Sequence, residues 1–353
     1  MAAVTVAPEA AAFRLEAEGA TDIGTGRKHN EDSVLLRPDL QLYLVADGAG
    51  GHNAGNVASA LATTAVAHYF EERGRAPEGA PDFDVHGLAP EARALARAIL
   101  HANREILQIA GTSERHQGMG TTIVAALFSV RSGLLHLGHV GDSRCYRLRN
   151  GHIEQLTHDH SLLNDVLELR PDLDDALLAK LPRNVVTRAL GMSAAMRPEV
   201  RTFDVLPSDR YLLCSDGLTE ALEIDEIGEA LMLPMPPEEH ARLFIAMANE
   251  RHAADNIAAV VIACEPAGGA HVSRPAVRRR GPRAASPPPP PIEASSPEIV
   301  LLPTELDADD LEDPTRRIRF VPAASANPEL RSALTGLVPK ASRGQPDAKK
   351  PNG

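Results

Sequence analysis

Acidic side chains stand beside apolar runs in four widely separated stretches of this chain. The stretches are Asn30-Glu31-Asp32 with Arg27 shortly before it, Asp47-Gly48, Ser215-Asp216-Gly217 and Asp255-Asn256. Three of them border apolar runs at 42–46, 211–214 and 257–263, whose composition predicts β-strands. Because strand ends are rigid supports, the sequence predicts that these carboxylates face one cleft.

Several carboxylates in one cleft predict a metal site. An ionised carboxylate is costly to bury alone, so converging acids need cations between them. Hard oxygen ligands favour Mg2+ or Mn2+, whereas zinc prefers closely spaced His and Cys, which the fourteen histidines and three cysteines do not provide. A single Asp-Gly pair is more often an ordinary turn. The set of four stretches is what favours a metal centre.

Further short motifs follow these acids in order along the chain. The acids are preceded by Thr21-Asp22-Ile23-Gly24, and later motifs are Gly118-Met119-Gly120-Thr121-Thr122, Val140-Gly141-Asp142-Ser143-Arg144, Asp159-His160-Ser161 and Thr187-Arg188-Ala189-Leu190-Gly191. Together the motifs resemble a bacterial metal-dependent Ser/Thr protein phosphatase of the 2C type. The resemblance extends from Phe13 to Cys264.

This resemblance implies a fold, an activity and a cofactor. The implied fold is α+β, a four-layer α-β-β-α sandwich with two central, mostly antiparallel sheets. The implied activity is hydrolysis of phosphoserine and phosphothreonine on proteins, opposing bacterial Ser/Thr kinases. Two Mn2+ or Mg2+ ions, about 4 Å apart, would present a shared water as hydroxide in line with the phosphorus atom, and a third ion would bind nearby.

The resemblance also implies roles for individual residues. Seven residues would hold metal, directly or through bound water: Glu31, Asp32, Asp47, Gly48, Asp142, Asp216 and Asp255. Asp47 would bridge the two ions, and the predicted catalytic residues are Asp47, Asp216 and Arg27. Asp142 matches a position that helps to hold the third ion. An aspartate that ends a strand also caps the following turn in many proteins, and that alternative stays open.

Arg27 is the predicted phosphate-binding residue. A guanidinium offers paired donors that fit two phosphate oxygens, which is the use that favours arginine over lysine. The alternative is an ordinary surface arginine.

The proton donor for the leaving group is not assigned by the sequence. Animal relatives carry a histidine directly after the Asp-Gly pair, where this chain has Ala49. His52 lies three residues further on, and a metal-bound water is the alternative donor.

Periodicity predicts the elements that position these residues. Strands are predicted at 21–23, 33–36, 42–46, 121–130, 134–140, 144–149, 200–205, 211–215 and 257–264, and helices at 57–69, 90–109 and 238–251. The acid-rich segment 161–183 is predicted to be a helical insertion, at a place where bacterial relatives have a mobile flap. Since loops beside a rigid scaffold often select substrates, we expect this segment to select the phosphoprotein.

Composition changes sharply after Glu265. Sixteen of the 28 prolines fall in 266–353, so this part is predicted to be a disordered tail, as are residues 1–12. The catalytic domain is then predicted at 13–265. Two apolar patches in the tail, Glu298–Leu302 and Arg317–Val321, are typical of partner-docking motifs, although incidental hydrophobic residues are the simpler explanation.

Charge and cysteine content limit the partners and the compartment. The formal net charge of −12 argues against a nucleic-acid partner. No apolar run approaches the about 18 residues that span a bilayer, and residues 1–12 lack the pattern of a secretory signal. Cys145, Cys214 and Cys264 are predicted to be buried and reduced, which indicates the cytoplasm. We expect a monomer that acts on phosphorylated proteins, including Ser/Thr kinases and their substrates.

Two other functions fit the same residues. A catalytically inactive relative would bind phosphoproteins or act as an adaptor through its tail, but every expected ligand is present. An active relative could instead hydrolyse other phosphoesters or phosphohistidine. This second alternative stays open because metal ligands and Arg27 recognise the phosphate and not the group that carries it.

Overall fold

Two antiparallel β-sheets lie face to face at the centre of the computed structural model. The structure describes residues 13–50, 54–75, 87–178, 181, 185–267 and 300–301. Its strands and helices are, in chain order, β1 Phe13–Asp22, β2 Asp32–Arg37, β3 Leu42–Ala49, α1 Ala54–Arg73, α2 Pro90–Ala110, β4 Gly120–Thr121, β5 Ile123–Ser129, β6 Leu134–Val140, β7 Arg144–Arg149, β8 His152–Gln155, α3 Leu162–Leu169, α4 Asp175–Leu178, β9 Glu199–Asp204, β10 Arg210–Cys214, α5 Asp216–Ala221, α6 Ile224–Met232, α7 Pro237–Glu250, β11 Ile257–Pro266 and β12 Val300–Leu301.

Strand order brings the predicted ligands to one edge of the sandwich. The first sheet has the order β1-β11-β10-β7-β8, and the second has the order β12-β9-β6-β5-β3-β2, with β4 beside β3. The paired strands are antiparallel. In the second sheet Asp32 of β2 lies opposite Asp47 of β3. In the first sheet β10 ends at Cys214, just before Asp216, and β11 begins just after Asp255.

Helices cover the outer face of each sheet. On the second sheet, α1 and α2 pack in an apolar cluster that includes Leu44 and Ile99. On the first sheet, α5, α6 and α7 pack in a cluster that includes Phe244 and Val261. The largest side chains buried between the sheets are Tyr43, Phe128 and Tyr211. The predicted α-β-β-α sandwich is therefore confirmed.

Several predicted boundaries are wrong. The strand predicted at 21–23 is the end of the ten-residue β1, and Ile23 lies beyond it. The run at 121–130 is divided between β4 and β5. The elements α5, α6 and β8 were not predicted, because they are short and α5 starts with an Asp-Gly pair that resembles a turn. β1 contains Glu16, Glu18 and Gly19, which favour strands weakly, and its pairing with β11 determines its length.

Most of the predicted terminal segments lie outside the described residues. These are residues 1–12 and 268–353 apart from 300–301, so the apolar patch at 317–321 is not described. Within the other patch, Val300–Leu301 forms β12, with Val300 opposite Val200 of β9. In the described part of the chain, none of the helices combines the length and apolar character needed to span a bilayer.

Candidate active site

The end of β3 is fixed on both sides of Asp47. The Asp47 amide donates to Thr122 Oγ1 at 3.0 Å, and its carbonyl accepts from the Thr122 amide at 2.9 Å and from Thr121 Oγ1 at 2.8 Å. Since β2 begins opposite Asp47, Asp32 is its cross-strand neighbour. Two carboxylates are therefore held side by side at the edge of the second sheet.

Gly48 allows the backbone beneath Asp47 to pack closely. A Cβ atom on Gly48 would lie 2.2 Å from the carbonyl oxygen of Gly55 and 2.6 Å from that of Glu31. The Gly48 amide donates to the same Glu31 carbonyl at 3.1 Å. Because no side chain fits there, glycine at this position is what brings Glu31 next to the Asp-Gly pair.

Ser215 joins the two sheets directly beneath the site. Its hydroxyl donates to Asp32 Oδ2 at 2.7 Å and accepts from the amide of Ala258 in β11 at 2.8 Å. Ser215 is fully buried, and the next residue, Asp216, begins α5. Ser215 therefore links Asp32 of β2 to β11, close to Asp216.

Asn256 fastens the loop that carries Arg27 and Glu31. Its side-chain oxygen accepts from the Glu31 amide at 2.9 Å, and its side-chain nitrogen donates to the carbonyls of Ile23 and His29 at 2.9 and 3.0 Å. Next to it, Asp255 Oδ2 accepts from Arg27 Nη2 at 2.5 Å. The loop thus places Arg27 at the rim of the acidic cluster, with about half of its side chain exposed (53%).

Burial and mutual repulsion disturb the ionisation of the cluster. Burial, together with the charge of Asp216, raises the pKa of Asp32 to about 7, although the hydrogen bond from Ser215 lowers it. Burial and the charges of Asp32 and Asp216 raise the pKa of Asp47 well above its usual value. Burial likewise raises the pKa values of Asp216 and Glu31. Charge on each of these carboxyls opposes charge on its neighbours, and a cation among them would favour their ionised forms.

Two oxygens in the cluster lack donors. Asp32 Oδ1 and Asp216 Oδ1 are buried and have no hydrogen-bond partner within the part of the chain that the structure describes. Buried carboxylate oxygens are normally hydrogen-bonded or bound to metal. The donor set consists of oxygen atoms, which suits a hard divalent cation such as Mg2+ or Mn2+.

Asp142 extends the cluster on one side. It follows Gly141 in the turn between β6 and β7. Burial and the charges of Asp216 and Asp159 raise its pKa to about 7. Asp159 itself receives three short contacts from the guanidinium of Arg144, at 2.7 to 3.1 Å. All seven residues predicted to hold metal thus border one site, with Arg27 at its rim.

Sequence reasoning missed several residues that shape the site. Ser215 and Asn256 were seen only as parts of motifs, and their bonds to distant strands cannot be read from local sequence. Glu220 on α5 is also close enough to the cluster to be affected by it, since partial burial and the charges of Asp216 and Asp255 raise its pKa. Its position four residues after Asp216 in a helix was the available signal. His52, considered as a proton donor, lies outside the described residues.

Known proteins are similar to this chain in sequence and in fold. The family profile of Protein phosphatase 2C matches residues 19–260. The serine/threonine phosphatase stp of Listeria monocytogenes is 36% identical over 254 residues, which are 70% of this chain and 95% of that protein. The solved structure of the Mycobacterium tuberculosis serine/threonine phosphatase PstP is 33% identical, with 71% of this chain and 99% of that chain covered and a TM-score of 0.61.

A further solved structure is the catalytic domain of a serine/threonine protein phosphatase PstP in complex with 2 manganese ions. It is 32% identical, with 71% of this chain and 98% of that chain covered and a TM-score of 0.59. The sandwich and its acidic edge thus define a phosphatase. The chain belongs to the protein phosphatase 2C family, and it is a protein phosphatase. The predicted family and enzyme class are confirmed.

Proposed function

We propose that this chain hydrolyses phosphoserine and phosphothreonine on proteins, using two divalent cations, Mn2+ or Mg2+, at the acidic cluster. The observation that carries this proposal is the set of carboxyls with raised pKa values, one fully and the others partly buried, including two buried oxygens that lack donors, beside the exposed Arg27. The manganese complex of the PstP catalytic domain supports the choice of metal.

Residues from both sheets would hold the cations. Asp47 would contribute to both ions and the Gly48 carbonyl to one of them, and Asp216 and Asp255 would complete the other set. Glu31 and Asp32 would act through bound water, and Asp142 would help to hold a third, weaker ion. When bound, such ions lower the pKa of water and neutralise charge on a phosphoryl group.

Arg27 would bind the substrate phosphate. One of its donors contacts Asp255, and its exposure leaves further N–H groups facing solvent at the rim of the cluster. The hydrogen bond to Asp255, followed by the charges of Asp255, Asp47 and Glu31, raises the pKa of the guanidinium and keeps it ionised. A positive charge there attracts the phosphate toward carboxylates that would otherwise repel it.

The nucleophile is a water molecule and not a cysteine side chain. Cys145, Cys214 and Cys264 are all buried and free, as predicted, and burial raises the pKa of the Cys214 thiol to about 12. A buried thiol of high pKa is a poor nucleophile. In the net reaction, the water oxygen bonds to phosphorus, the bond from phosphorus to the serine or threonine oxygen breaks, and that oxygen receives a proton.

The first experiment is to measure Mn2+-dependent release of phosphate from a phosphothreonine peptide. We expect the full chain to be active, and Asp47→Asn and Asp216→Asn to lose at least about 100-fold of that activity. Asp39→Asn, at an exposed aspartate paired with Arg37, is the matched control and should retain activity. An inactive wild-type chain that still binds phosphopeptide would support the adaptor alternative. Activity on phosphohistidine or a small aryl phosphate alone would support the alternative that the chain is a phosphatase for other phosphorylated groups.

The biological setting is part of the same proposal. A phosphatase of this specificity would oppose Ser/Thr kinases, with phosphorylated proteins as its partners. Three free cysteines fit a reducing compartment, so we propose the cytoplasm, with the chain acting as a monomer.

A further inference from the structure

His160 is a buried residue that makes two hydrogen bonds to the turn before Asp142. Its backbone amide donates to the Gly141 carbonyl at 2.9 Å, and its Nδ1 accepts from the Gly141 amide at 3.1 Å. Gly141 has a φ of 105°, and a Cβ atom there would lie 2.6 Å from Thr122 Cγ2. One histidine thus satisfies both backbone groups of Gly141, the residue that precedes Asp142.

The other edge of the His160 ring faces Glu199. Nε2 lies 3.7 Å from Glu199 Oε2, and Glu199 Oε1 lies 2.8 Å from Arg201 Nε. Because Nδ1 accepts a hydrogen bond, a neutral His160 carries its proton on Nε2, pointing toward Glu199. Burial lowers the pKa of His160 to about 3, so the ring is neutral at pH 7. Although burial opposes it, the contact with His160 and the charge of Arg201 lower the pKa of Glu199 to about 2, so its carboxyl is ionised.

Stacking with His139 argues against a second metal site here. Potential ligand atoms of His139, His160 and Glu199 lie within 4.8 Å of one another. However, the two imidazole rings are stacked with centroids 4.8 Å apart and planes 10° apart. A metal ion binds in the plane of an imidazole ring, and one ion cannot lie in two separate parallel planes. His139 Nε2 also contacts the His158 carbonyl at 2.8 Å, which holds that ring in place.

The same residue also adjoins the base of the insertion at 161–183. The His160 carbonyl accepts from the Thr187 amide at 2.9 Å, and the next residue, Ser161, pairs with Val186. The Ser161 hydroxyl caps α3 by accepting from the Asn164 amide at 3.4 Å. The turn that bears Asp142 and the base of the insertion are therefore joined through His160.

We propose that His160 is a positioning residue that fixes the Gly141-Asp142 turn through its Nδ1 and so determines the affinity of the cation at Asp142. This inference rests on the proposed function, because that function supplies the cation. The inference goes beyond the proposed function, because it gives His160 a role without any contact between His160 and metal or substrate. Groups that orient metal ligands typically change metal affinity by about 10- to 100-fold when they are removed.

Two substitutions distinguish the Nδ1 contact of His160 with Gly141 from its Nε2 contact with Glu199. The side-chain oxygen of His160→Asn lies near the position of Nδ1 and retains an acceptor for the Gly141 amide. The longer side chain of His160→Gln lies near the position of Nε2 and retains only the contact with Glu199. Both variants place an amide at a buried site, so loss of stability alone would affect them similarly.

His136 supplies a matched control. Like His160, it is a buried histidine. It lies on β6, and its Nδ1 contacts Thr202 Oγ1 of β9 at 3.0 Å. His136→Gln perturbs the same pair of strands without touching Gly141.

The experiment measures Mn2+ binding to the full chain by calorimetry and by EPR of the free ion. We expect His160→Gln to weaken the weakest Mn2+ site by about tenfold or more and to leave the tighter sites unchanged. His160→Asn and His136→Gln should stay within about threefold of wild type at that site. Equal weakening in His160→Gln and His160→Asn, or an equal loss in His136→Gln, would overturn the proposal.

A second measurement needs no metal. Hydrogen exchange of the Gly141 amide in EDTA should be faster in His160→Gln than in wild type, and close to wild type in His160→Asn. A wild-type chain that binds no Mn2+ would refute the proposed function, and the Gly141 exchange rates would still decide whether His160 holds the turn. Unchanged exchange in both variants would reject the role of His160.

Discussion

Arg27 Nη2 donates to Asp255 Oδ2 over 2.5 Å, so the predicted phosphate-binding residue is paired with a predicted metal ligand. The two residues are 228 positions apart in the chain. They meet because the loop before β2 and the start of β11 are tied together by Asn256. In the metal-free chain Arg27 therefore provides part of the positive charge that a cation would supply to Asp255.

This pairing predicts opposite effects of Arg27→Ala on substrate and on metal. Loss of a charged donor to phosphate should lower kcat/KM for an aryl phosphate by about 10- to 100-fold, since such bonds contribute about 1.5–3 kcal/mol. Loss of the competing cation should tighten Mn2+ binding by about two- to fivefold, because exposed ion pairs contribute about 0.2–1 kcal/mol. Steady-state kinetics and calorimetry measure the two effects.

The control is Arg14→Ala, at an exposed arginine that pairs with Glu16 on β1. It should change neither quantity. If Arg27→Ala weakened Mn2+ binding, the inference that Arg27 and the cation share Asp255 would be wrong.

Asp142 predicts a pH dependence of the metal-free chain. Its carboxyl ionises near pH 4 in an unfolded chain and has a pKa of about 7 in the folded chain, because burial and Asp216 oppose its charge. Between these values the folded state binds more protons than the unfolded state, so the stability that this group contributes is lost as pH rises from about 4 to about 7. Thermal unfolding in EDTA should therefore show a falling Tm across this range.

Asp142→Asn, which has no titrating group there, should reduce that fall. Asp39→Asn is the control, because Arg37 holds the pKa of Asp39 below its usual value, outside this range. Adding Mn2+ to wild type should restore stability most strongly at pH 7 and above. The prediction would be contradicted if the Tm of the metal-free wild type rose between pH 5 and pH 7, by as much as the Tm of Asp142→Asn.

Ser215→Ala should destabilise the fold and loosen the site together. The substitution removes the donor to Asp32 Oδ2 and the acceptor for the Ala258 amide, both of which are buried. Leaving buried groups unsatisfied costs about 1–3 kcal/mol. We expect a loss of this size in the free energy of unfolding by urea, with weaker Mn2+ binding, since Asp32 is then held by one sheet alone.

The comparison for Ser215 is Thr63→Val. Thr63 has a buried hydroxyl whose hydrogen bonds, within the described part of the chain, go to carbonyls of α1, so its loss should cost less and leave Mn2+ affinity unchanged. Equal Mn2+ affinity in Ser215→Ala and wild type would show that Asp32 does not depend on the link between the sheets.

These residues show how far the sequence could predict the site. Asp47 and Asp216 stand near the ends of strongly apolar strands, so local pattern predicted their positions. The role of Ser215 was not predictable, because its hydroxyl bridges β2 and β11, which are more than 200 residues apart in the chain. The same holds for Asn256 and His160, whose partners lie in other loops.

In the fold, too, some elements could be predicted from local sequence and others depend on distant partners. Strongly apolar strands such as β3 and β11 were predicted from composition alone. The strand β1 was mostly missed, since its ten residues are fixed by pairing with β11 and not by their own preference. Likewise, the helical course of Asp216–Ala221 depends on packing against β11, because its Asp-Gly start resembles a turn.

The insertion beside the site allows a test of substrate selection. Its base is fixed, because the Leu162 amide donates to the Val185 carbonyl at 2.9 Å and Ser161 pairs with Val186. Replacing residues 162–181 with the corresponding segment of a relative should therefore leave the acidic cluster in place. We expect kcat/KM to change by about tenfold or more between two phosphoprotein substrates, while turnover of an aryl phosphate stays within about twofold.

A segment with the same residues in scrambled order serves as the control for this exchange, since it keeps length and charge but not the docking surface. It should reduce activity on both phosphoproteins and leave the aryl phosphate unaffected. Because an aryl phosphate needs only the acidic cluster and Arg27, an equal loss on all three substrates would mean that the insertion supports the catalytic cluster itself and does not select the protein.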